Sequence, residues 1–222
     1  MVTSRIRLGT MITPLSRLRP WKRARETATL DNLSGGRVIL SVGLGAPDTG
    51  FAAFGEETDR VIRAELLDEG LQILTGLWKG QPFRYKGKHY HIEPTNFMPP
   101  PPPLQQPSIP IWVVGAWPRD KSMRRVLGYD GLLPSTLGTD GKAAQASPRE
   151  VREMKAYVQE RRTLQTPFDI VVEGATPGDD AARAQEIIRP WAEAGATWWI
   201  EAMWNASSKD KILARLEQGP PK

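Results

Sequence analysis

The sequence predicts an α/β protein built as a barrel of parallel strands, and three observations lead to that prediction. Six short runs rich in β-branched and other apolar residues have the length and composition of β-strands. Most stretches between them carry apolar residues at helical spacing, and this alternation predicts a parallel sheet covered by helices. The glycine-rich fingerprint of an open dinucleotide-binding sheet does not follow the first strand. The pattern therefore favours a barrel of about six β-α units.

The first half of the chain predicts two β-α units. Residues 5–13 alternate and then become continuously apolar, which predicts a strand buried on both faces and lying inside the sheet. The pair Gly35-Gly36 stops the first helix, and the turn Gly43-Leu44-Gly45 closes the second strand. The predicted elements are a strand over 5–13, a helix over 20–33, a strand over 37–42 and a helix over 60–78.

The middle of the chain interrupts this alternation. Residues 83–85 and 89–92 flank Lys86-Gly87-Lys88, which predicts a small β-hairpin. Residues 99–103 are consecutive prolines and predict an extended polyproline stretch. We interpret residues 80–107 as an insertion between barrel elements.

Alternation resumes in the second half, where strands and helices follow one another to the end of the predicted sheet. The predicted strands are 109–114, 131–133, 168–172 and 197–202, and the predicted helices are 121–127, 148–162 and 179–194.

Composition limits the chemistry that the chain can perform. The 222 residues include no cysteine, which excludes disulfides, thiolate nucleophiles and cysteine-ligated metal centres. His89 and His91 would share one face of an extended strand, but two histidines without a third ligand do not predict a metal site. The basic residues behind the net charge of +5 are scattered, so we expect no nucleic-acid partner. Without a long apolar run or a signal peptide, we expect one cytoplasmic domain over residues 1–222 and no membrane contact.

Several runs of the sequence occur together in a characteristic order. They are residues 5–10, 33–45, 67–71, 77–80, 83–90, 109–115 and 195–199, the second reading Leu-Ser-Gly-Gly-Arg-Val-Ile-Leu-Ser-Val-Gly-Leu-Gly. This succession resembles the luciferase-like monooxygenase family, which includes bacterial luciferase, alkanesulfonate monooxygenases and deazaflavin-dependent dehydrogenases. The resemblance covers nearly the whole chain.

The resemblance implies an N-terminally truncated TIM barrel of the (β/α)8 type, in which residues 5–13 are the third strand and 37–43 the fourth, so that strands one and two are absent from the sequence. It implies a flavin-dependent oxidoreductase or monooxygenase that acts on a small organic substrate, with FMN as the cofactor and the deazaflavin coenzyme F-420 as the alternative. A non-catalytic, flavin-binding relative is the alternative function. We also expect a homodimer, because an uncovered strand edge leaves backbone groups unpaired.

Candidate cofactor-binding residues follow the strands, because barrel enzymes bind ligands at the carboxyl ends of their strands. The candidates are Thr10, Met11, Ile12, Gly43, Gly45, Gly115, Ala116, Ser135 and Thr136. The family often places a non-proline cis peptide at the position of Met11-Ile12. Free N–H groups at Gly115-Ala116-Trp117 would suit a cofactor phosphate, although a tight turn also explains the glycine.

Four further observations bear on the predicted site. Gly43 and Gly45 would let the backbone approach the flavin ring, while Ser135 and Thr136 would add hydroxyl donors for the phosphate. Ala46 stands where deazaflavin-dependent sugar-phosphate dehydrogenases carry an acid, which argues against their mechanism. Glu201 is a candidate polar group at the end of the last strand. No catalytic residue is identified, and we expect substrate specificity to lie in the hairpin and in the loop 137–147.

Overall fold

The computed structural model describes residues 3–46, 49–96, 101–138 and 143–220. The chain divides into two compact units, Met1–Val114 and Gly115–Lys222, which are described in turn. The single domain over residues 1–222 stays a prediction.

Unit 1 contains a parallel sheet built around one fully buried strand, β3 (Val38–Gly43). Two short strands, β1 (Leu8–Gly9) and β2 (Thr13–Pro14), pair with β3 in parallel. On the other side of β3 lies β6 (Ile111–Ala116), which pairs with Leu40 to Val42. The apolar run of β3 is therefore buried on both faces, as expected of an inner parallel strand.

The predicted inner strand over 5–13 is wrong in detail, because the structure replaces it with β1 and β2. Between them, the hydroxyl of Thr10 donates to the carbonyl oxygen of Ser41 and accepts from the Ser41 N–H, both at 3.2 Å. Between β1 and β2, the Thr10 side chain thus replaces the backbone hydrogen bonds that a continuous strand would make with β3. The segment is also not buried on both faces, since Ile6 is 56% exposed and Met11 is 41% exposed.

Two helices cover the sheet of unit 1. Helix α1 (Pro20–Ser34) begins with proline in its first turn and ends at Gly35, whose φ of 72° is the left-handed conformation that glycine adopts most readily. Helix α2 (Arg60–Lys79) begins at Asp59, whose carboxylate accepts from the N–H groups of Val61 and Ile62. Its buried stripe supplies much of the unit 1 core, including Leu67, Leu71, Ile73, Leu74 and Trp78.

The predicted hairpin is confirmed as β4 (Phe83–Lys86) and β5 (His91–Thr95), which pair antiparallel. Its loop is held by α2, because the carboxylate of Glu69 accepts from the backbone N–H groups of Lys88, His89 and Tyr90 at 2.7 to 3.2 Å. Of the predicted polyproline stretch, residues 99 and 100 lie outside the described residues, and 101–103 form neither helix nor strand.

Unit 2 contains a second set of parallel strands. Strand β7 (Gly131–Leu137) pairs with β9 (Asp169–Gly174), and β9 pairs with β10 (Trp198–Glu201). The structure adds β8 (Ala143–Gln145), antiparallel to β7, inside the loop predicted over 137–147. Residues 139–142 of that loop lie outside the described residues.

The helices of unit 2 are α3 (Asp120–Val126), α4 (Pro148–Arg161), α5 (Ala181–Ala194) and α6 (Lys209–Gln218). Helix α4 begins with a reciprocal capping box between Ser147 and Glu150. Helix α6 is absent from the sequence prediction, although Ser208 caps its first turn and Gly219 follows its last residue. None of its residues is buried, so packing within the chain does not reinforce its sequence signal.

Candidate functional site

The candidate site of unit 1 lies at the ends of β2 and β3. It also includes the segment that precedes β2. Thr10 is hydrogen-bonded to the backbone of Ser41, and the Thr13 hydroxyl donates to the Thr10 hydroxyl at 2.9 Å. The expected cis peptide between Met11 and Ile12 is confirmed. Thr10 and Ile12 thus lie against β3, and the role of Thr10, Met11 and Ile12 in cofactor binding stays a prediction.

A functional candidate that the sequence analysis missed is Ser41. Its side chain is 1% exposed, and its Oγ has no hydrogen-bond partner among the described residues. A buried hydroxyl without a partner costs free energy, which makes it a candidate to bind a ligand. The signal in the sequence is a single hydroxyl inside the otherwise apolar run Val38–Gly43.

The two glycines of the β3 turn are explained by packing against protein side chains. A Cβ at Gly43 would lie 2.6 Å from Ile12 Cδ1 and 2.9 Å from Val114 Cγ2. Gly45 has a φ of 74°, and a Cβ there would lie 2.8 Å from Pro14 Cβ. Both positions permit a close approach, but the groups that approach are side chains of unit 1. Their contact with a flavin ring stays a prediction.

A buried arginine holds the same turn. Arg63 of α2 is 3% exposed, and its Nη1 donates to the carbonyl oxygens of Leu44 and Gly45, both at 3.2 Å. Its guanidinium lies 4.9 Å from the ring centroid of Phe51, and that of Arg17 lies 4.4 Å from the same ring. Arg63 is not among the predicted site residues, although it falls four residues before Leu67 on the buried stripe of α2.

In unit 2 the expected free N–H groups after β6 are not free. The Ala116 N–H donates to the Ser122 hydroxyl at 2.9 Å, and the Trp117 N–H donates to the Ser135 carbonyl oxygen at 2.8 Å. Gly115 is required by packing, since a Cβ there would collide with Leu132. Helix α3 has only seven residues. The observed arrangement is the tight turn, and a phosphate at this place would have to displace those hydrogen bonds.

Ser135 and Thr136 lie on β7, opposite Gln145 and Ala144 of β8. Both hydroxyls lie 3.5 Å from the Ala144 carbonyl oxygen, the outer limit of a hydrogen bond. Because these contacts are weak, both hydroxyls retain the capacity to donate to a ligand. Their role as phosphate donors stays a prediction.

Glu201 is engaged by protein groups of unit 2. Its carboxylate accepts from the N–H and hydroxyl of Thr176, both at 2.6 Å, and lies 3.3 Å from Arg215. Burial alone would raise the pKa of Glu201. The hydrogen bonds from Thr176 and Trp199, together with the charge of Arg215, outweigh burial and lower the pKa below its usual value.

The two histidines of the hairpin have separate partners. His89 Nε2 lies 2.7 Å from Glu65, whereas His91 Nε2 lies 2.6 Å from Glu93. Within the part of the chain that the structure describes, no three histidine or acidic side chains form a group that could hold a metal ion. In the same part, no helix is both long and apolar enough to cross a membrane.

Sequence comparison identifies the relatives of this chain. The family model described as luciferase-like monooxygenase matches residues 1–218. An uncharacterized protein of Sinorhizobium fredii, y4vJ, is 31% identical over 166 residues, which are 69% of this chain and 46% of that protein. The chain thus spans less than half the length of this curated relative.

Solved structures with the same fold include proteins of different activity, each 20% identical or less. The coenzyme F420-dependent tetrahydromethanopterin reductase of Methanopyrus kandleri matches 98% of this chain and 83% of its own at 17% identity, with a TM-score of 0.69. An F420-dependent secondary alcohol dehydrogenase matches 98% of this chain and 63% of its own at 20% identity, with a TM-score of 0.62.

A third such structure holds FMN. It is a type II Baeyer–Villiger monooxygenase, the oxygenating constituent of 3,6-diketocamphane monooxygenase of Pseudomonas putida. It matches 84% of this chain and 53% of its own at 18% identity, with a TM-score of 0.56. These likenesses confirm the predicted fold class. Because the family model covers nearly the whole sequence, the chain belongs to the luciferase-like monooxygenase family.

Proposed function

We propose that this chain is a flavin-dependent oxidoreductase that acts on a small organic substrate, with FMN as the first candidate cofactor and the deazaflavin coenzyme F-420 as the second. Membership of the luciferase-like family supports a flavin-type oxidoreductase in general. The observation that carries the proposal is the Ser41 hydroxyl of β3, which is buried and lacks a partner among the described residues, while Thr10 holds the backbone of the same residue.

The residues at this strand edge fit a flavin in their chemistry. A flavin ring combines an apolar aromatic face with polar carbonyl and ring nitrogen atoms, so it requires both apolar contacts and hydrogen-bond partners. Ser41 offers a hydroxyl for the polar edge, and the half-exposed Met11 offers an apolar surface for the ring. When bound, the flavin supplies hydride transfer or the activation of dioxygen.

The chain's own residues would position the cofactor and keep water away from it. Thr10 fixes the backbone around Ser41 through two hydrogen bonds, and Arg63 fixes the turn that follows β3. Ile12 packs over Gly43 and closes that part of the strand edge with hydrocarbon.

The test is a titration of the purified chain with FMN and, separately, with coenzyme F-420, followed by fluorescence quenching. We expect saturable micromolar binding of one cofactor and about tenfold weaker binding by Ser41→Ala, because one hydrogen bond to the ligand is lost. Thr163→Val is the control, since Thr163 is exposed and lies in unit 2. Failure of both cofactors to bind, or equal weakening by the control, would contradict the proposal.

Cofactor binding without turnover is the second candidate function. It is favoured because Glu201, the acid at the end of β10, is occupied by Thr176 and Arg215. Oxidation of the reduced cofactor by small aldehydes or ketones, or reduction of the oxidised cofactor by small alcohols, faster than with the free cofactor would establish an enzyme. A bound cofactor that reacts only at the free rate would establish the alternative.

A further inference from the structure

Unit 1 contains a cavity of about 490 Å³ that the proposed flavin chemistry does not use. It lies among α1, the end of α2, the hairpin strand β5 and residues 101–103. Its walls are mostly apolar and include Trp21, Ala28, Leu77, Trp78, Ile92 and Pro102. The volume falls within the range of about 300–1,000 Å³ that is typical of small-molecule sites.

The cavity is separate from the candidate flavin site. Helix α2 connects the two places, because Arg63 near its start contacts the turn after β3, and Trp78 near its end lines the cavity. At a rise of 1.5 Å per residue, these positions lie about 22 Å apart along the helix axis. A ligand in this cavity would therefore not contact the residues at the carboxyl end of β3.

Gln81, which lines the cavity, has a buried polar atom without a partner among the described residues. The Gln81 side-chain carbonyl oxygen, Oε1, is buried and accepts no hydrogen bond from any residue that the structure describes. The polar atom of Trp78 is already used, since its Nε1 donates to the Ala24 carbonyl oxygen at 3.2 Å. A buried acceptor without a donor costs free energy, and an occupant of the cavity would supply an N–H or O–H donor once the Gln81 side chain turns its oxygen toward the cavity.

We propose that this cavity binds a planar aromatic molecule that carries an N–H or O–H donor, with the donor directed at Gln81 Oε1 and the ring against the indoles of Trp21 and Trp78. Aromatic walls favour a planar aromatic ligand, and Trp21 makes an edge-on contact with Tyr90 at 6.1 Å between ring centroids. Thr95 and His91 also line the cavity and add polar groups to its mostly apolar wall.

The experiment measures binding of indole and of 1-methylindole to the full chain by isothermal titration calorimetry. The two probes have the same ring system, but only indole can donate to Gln81. We expect indole to bind about tenfold more tightly than 1-methylindole, and Gln81→Met to abolish that difference. Trp21→Ala should weaken both probes alike. Trp21 is 41% exposed, so this variant is expected to remain folded, which circular dichroism checks.

Matched controls lie in unit 2. Gln185→Met and Trp204→Ala replace exposed residues of the same types and should leave both affinities unchanged. Saturating FMN should not displace indole, because the two sites are separate. The proposal is overturned if neither probe binds at millimolar concentration, if 1-methylindole binds as well as indole to the unmodified chain, or if FMN competes with indole.

Discussion

Arg63 Nη1 donates a hydrogen bond to the Gly45 carbonyl oxygen at 3.2 Å. The same nitrogen donates to the Leu44 carbonyl oxygen, so one buried side chain of α2 fixes the turn that follows the central strand of unit 1. This turn is one edge of the candidate flavin site. Its geometry therefore depends on a residue that the sequence analysis did not select.

Replacing Arg63 with Met should loosen this turn, because two carbonyl oxygens lose their donor. We expect the dissociation constant for FMN to rise about tenfold and the free energy of unfolding to fall by about 1–3 kcal/mol. Flavin titration and urea denaturation measure the two effects. Arg189→Met, at an exposed position of α5, is the control. Unchanged flavin affinity in Arg63→Met would argue against a role for this turn in binding.

Gly43→Ala should overpack the end of β3. The added methyl group would lie 2.6 Å from Ile12 Cδ1 and 2.9 Å from Val114 Cγ2, and relief requires both side chains to move. We expect a loss of about 1–3 kcal/mol in the free energy of unfolding, with weaker flavin binding. The second change Ile12→Val should restore part of that loss, because it removes the methyl group that contains Cδ1.

The control for this substitution is Gly128→Ala. The atom nearest to the methyl group added there is the Arg125 carbonyl oxygen, at an ordinary contact distance of 3.6 Å. Its effect on unfolding in urea should be small. Equal stability of the Gly43 and Gly128 variants would show that the end of β3 tolerates a side chain.

Glu69→Ala should destabilise the hairpin loop. The carboxylate accepts from the N–H groups of Lys88, His89 and Tyr90, and its removal leaves these donors without their partner. We expect a loss of about 2–4 kcal/mol in the free energy of unfolding, and a smaller loss for Glu69→Gln, which keeps one acceptor oxygen. Amide hydrogen exchange of residues 88–90 should accelerate in the alanine variant. Glu193→Gln, at an exposed position of α5, should change neither measurement.

The Glu201 carboxylate should make the stability of unit 2 depend on pH. Although burial raises its pKa, the hydrogen bonds from Thr176 and Trp199 and the charge of Arg215 outweigh burial and hold the pKa below the usual value of 4.5. A group whose pKa is lowered by folding stabilises the protein above its unfolded pKa and loses that contribution as the pH falls through the folded pKa.

Glu201→Gln should therefore flatten the fall in urea midpoint between about pH 5 and pH 3, because the variant has no carboxyl group to protonate. The comparison is with the unmodified chain over the same pH range. An equally steep fall in both proteins would assign the acid sensitivity to other groups.

We propose that the chain forms a homodimer through apolar residues that its described surface leaves exposed. In unit 2, helix α6 exposes Ile212, Leu213 and Leu216 on one face. Light scattering should give twice the mass of one chain, and Leu213→Glu combined with Leu216→Glu should halve it. A monodisperse monomer before substitution would contradict the proposal, and a dimer unaffected by the two changes would place the interface elsewhere.

Much of the fold could be predicted from local patterns. The apolar run predicted over 37–42 forms β3 with a shift of one residue, and the helix predicted over 60–78 forms α2 with one residue more. These predictions succeed because periodicity and capping act over a few residues. Helix α6 was missed although Ser208 and Gly219 mark its ends, whereas β8 has no local signal because Ala143–Gln145 forms a strand only by pairing with β7.

Some features of the candidate site could likewise be predicted from the sequence, whereas others depend on the tertiary structure. The sequence by itself determined the family, through runs spread over residues 5–199, and the alternation of strands and helices, through local patterns. The family resemblance in turn predicted the position of the cis peptide at Met11-Ile12. Only the tertiary structure decided that the Ala116 N–H is occupied by Ser122 and that the Ser41 hydroxyl lacks a partner among the described residues. The physical reason is that hydrogen-bond satisfaction depends on which groups folding brings within about 3 Å of each other, and no local pattern encodes that distance.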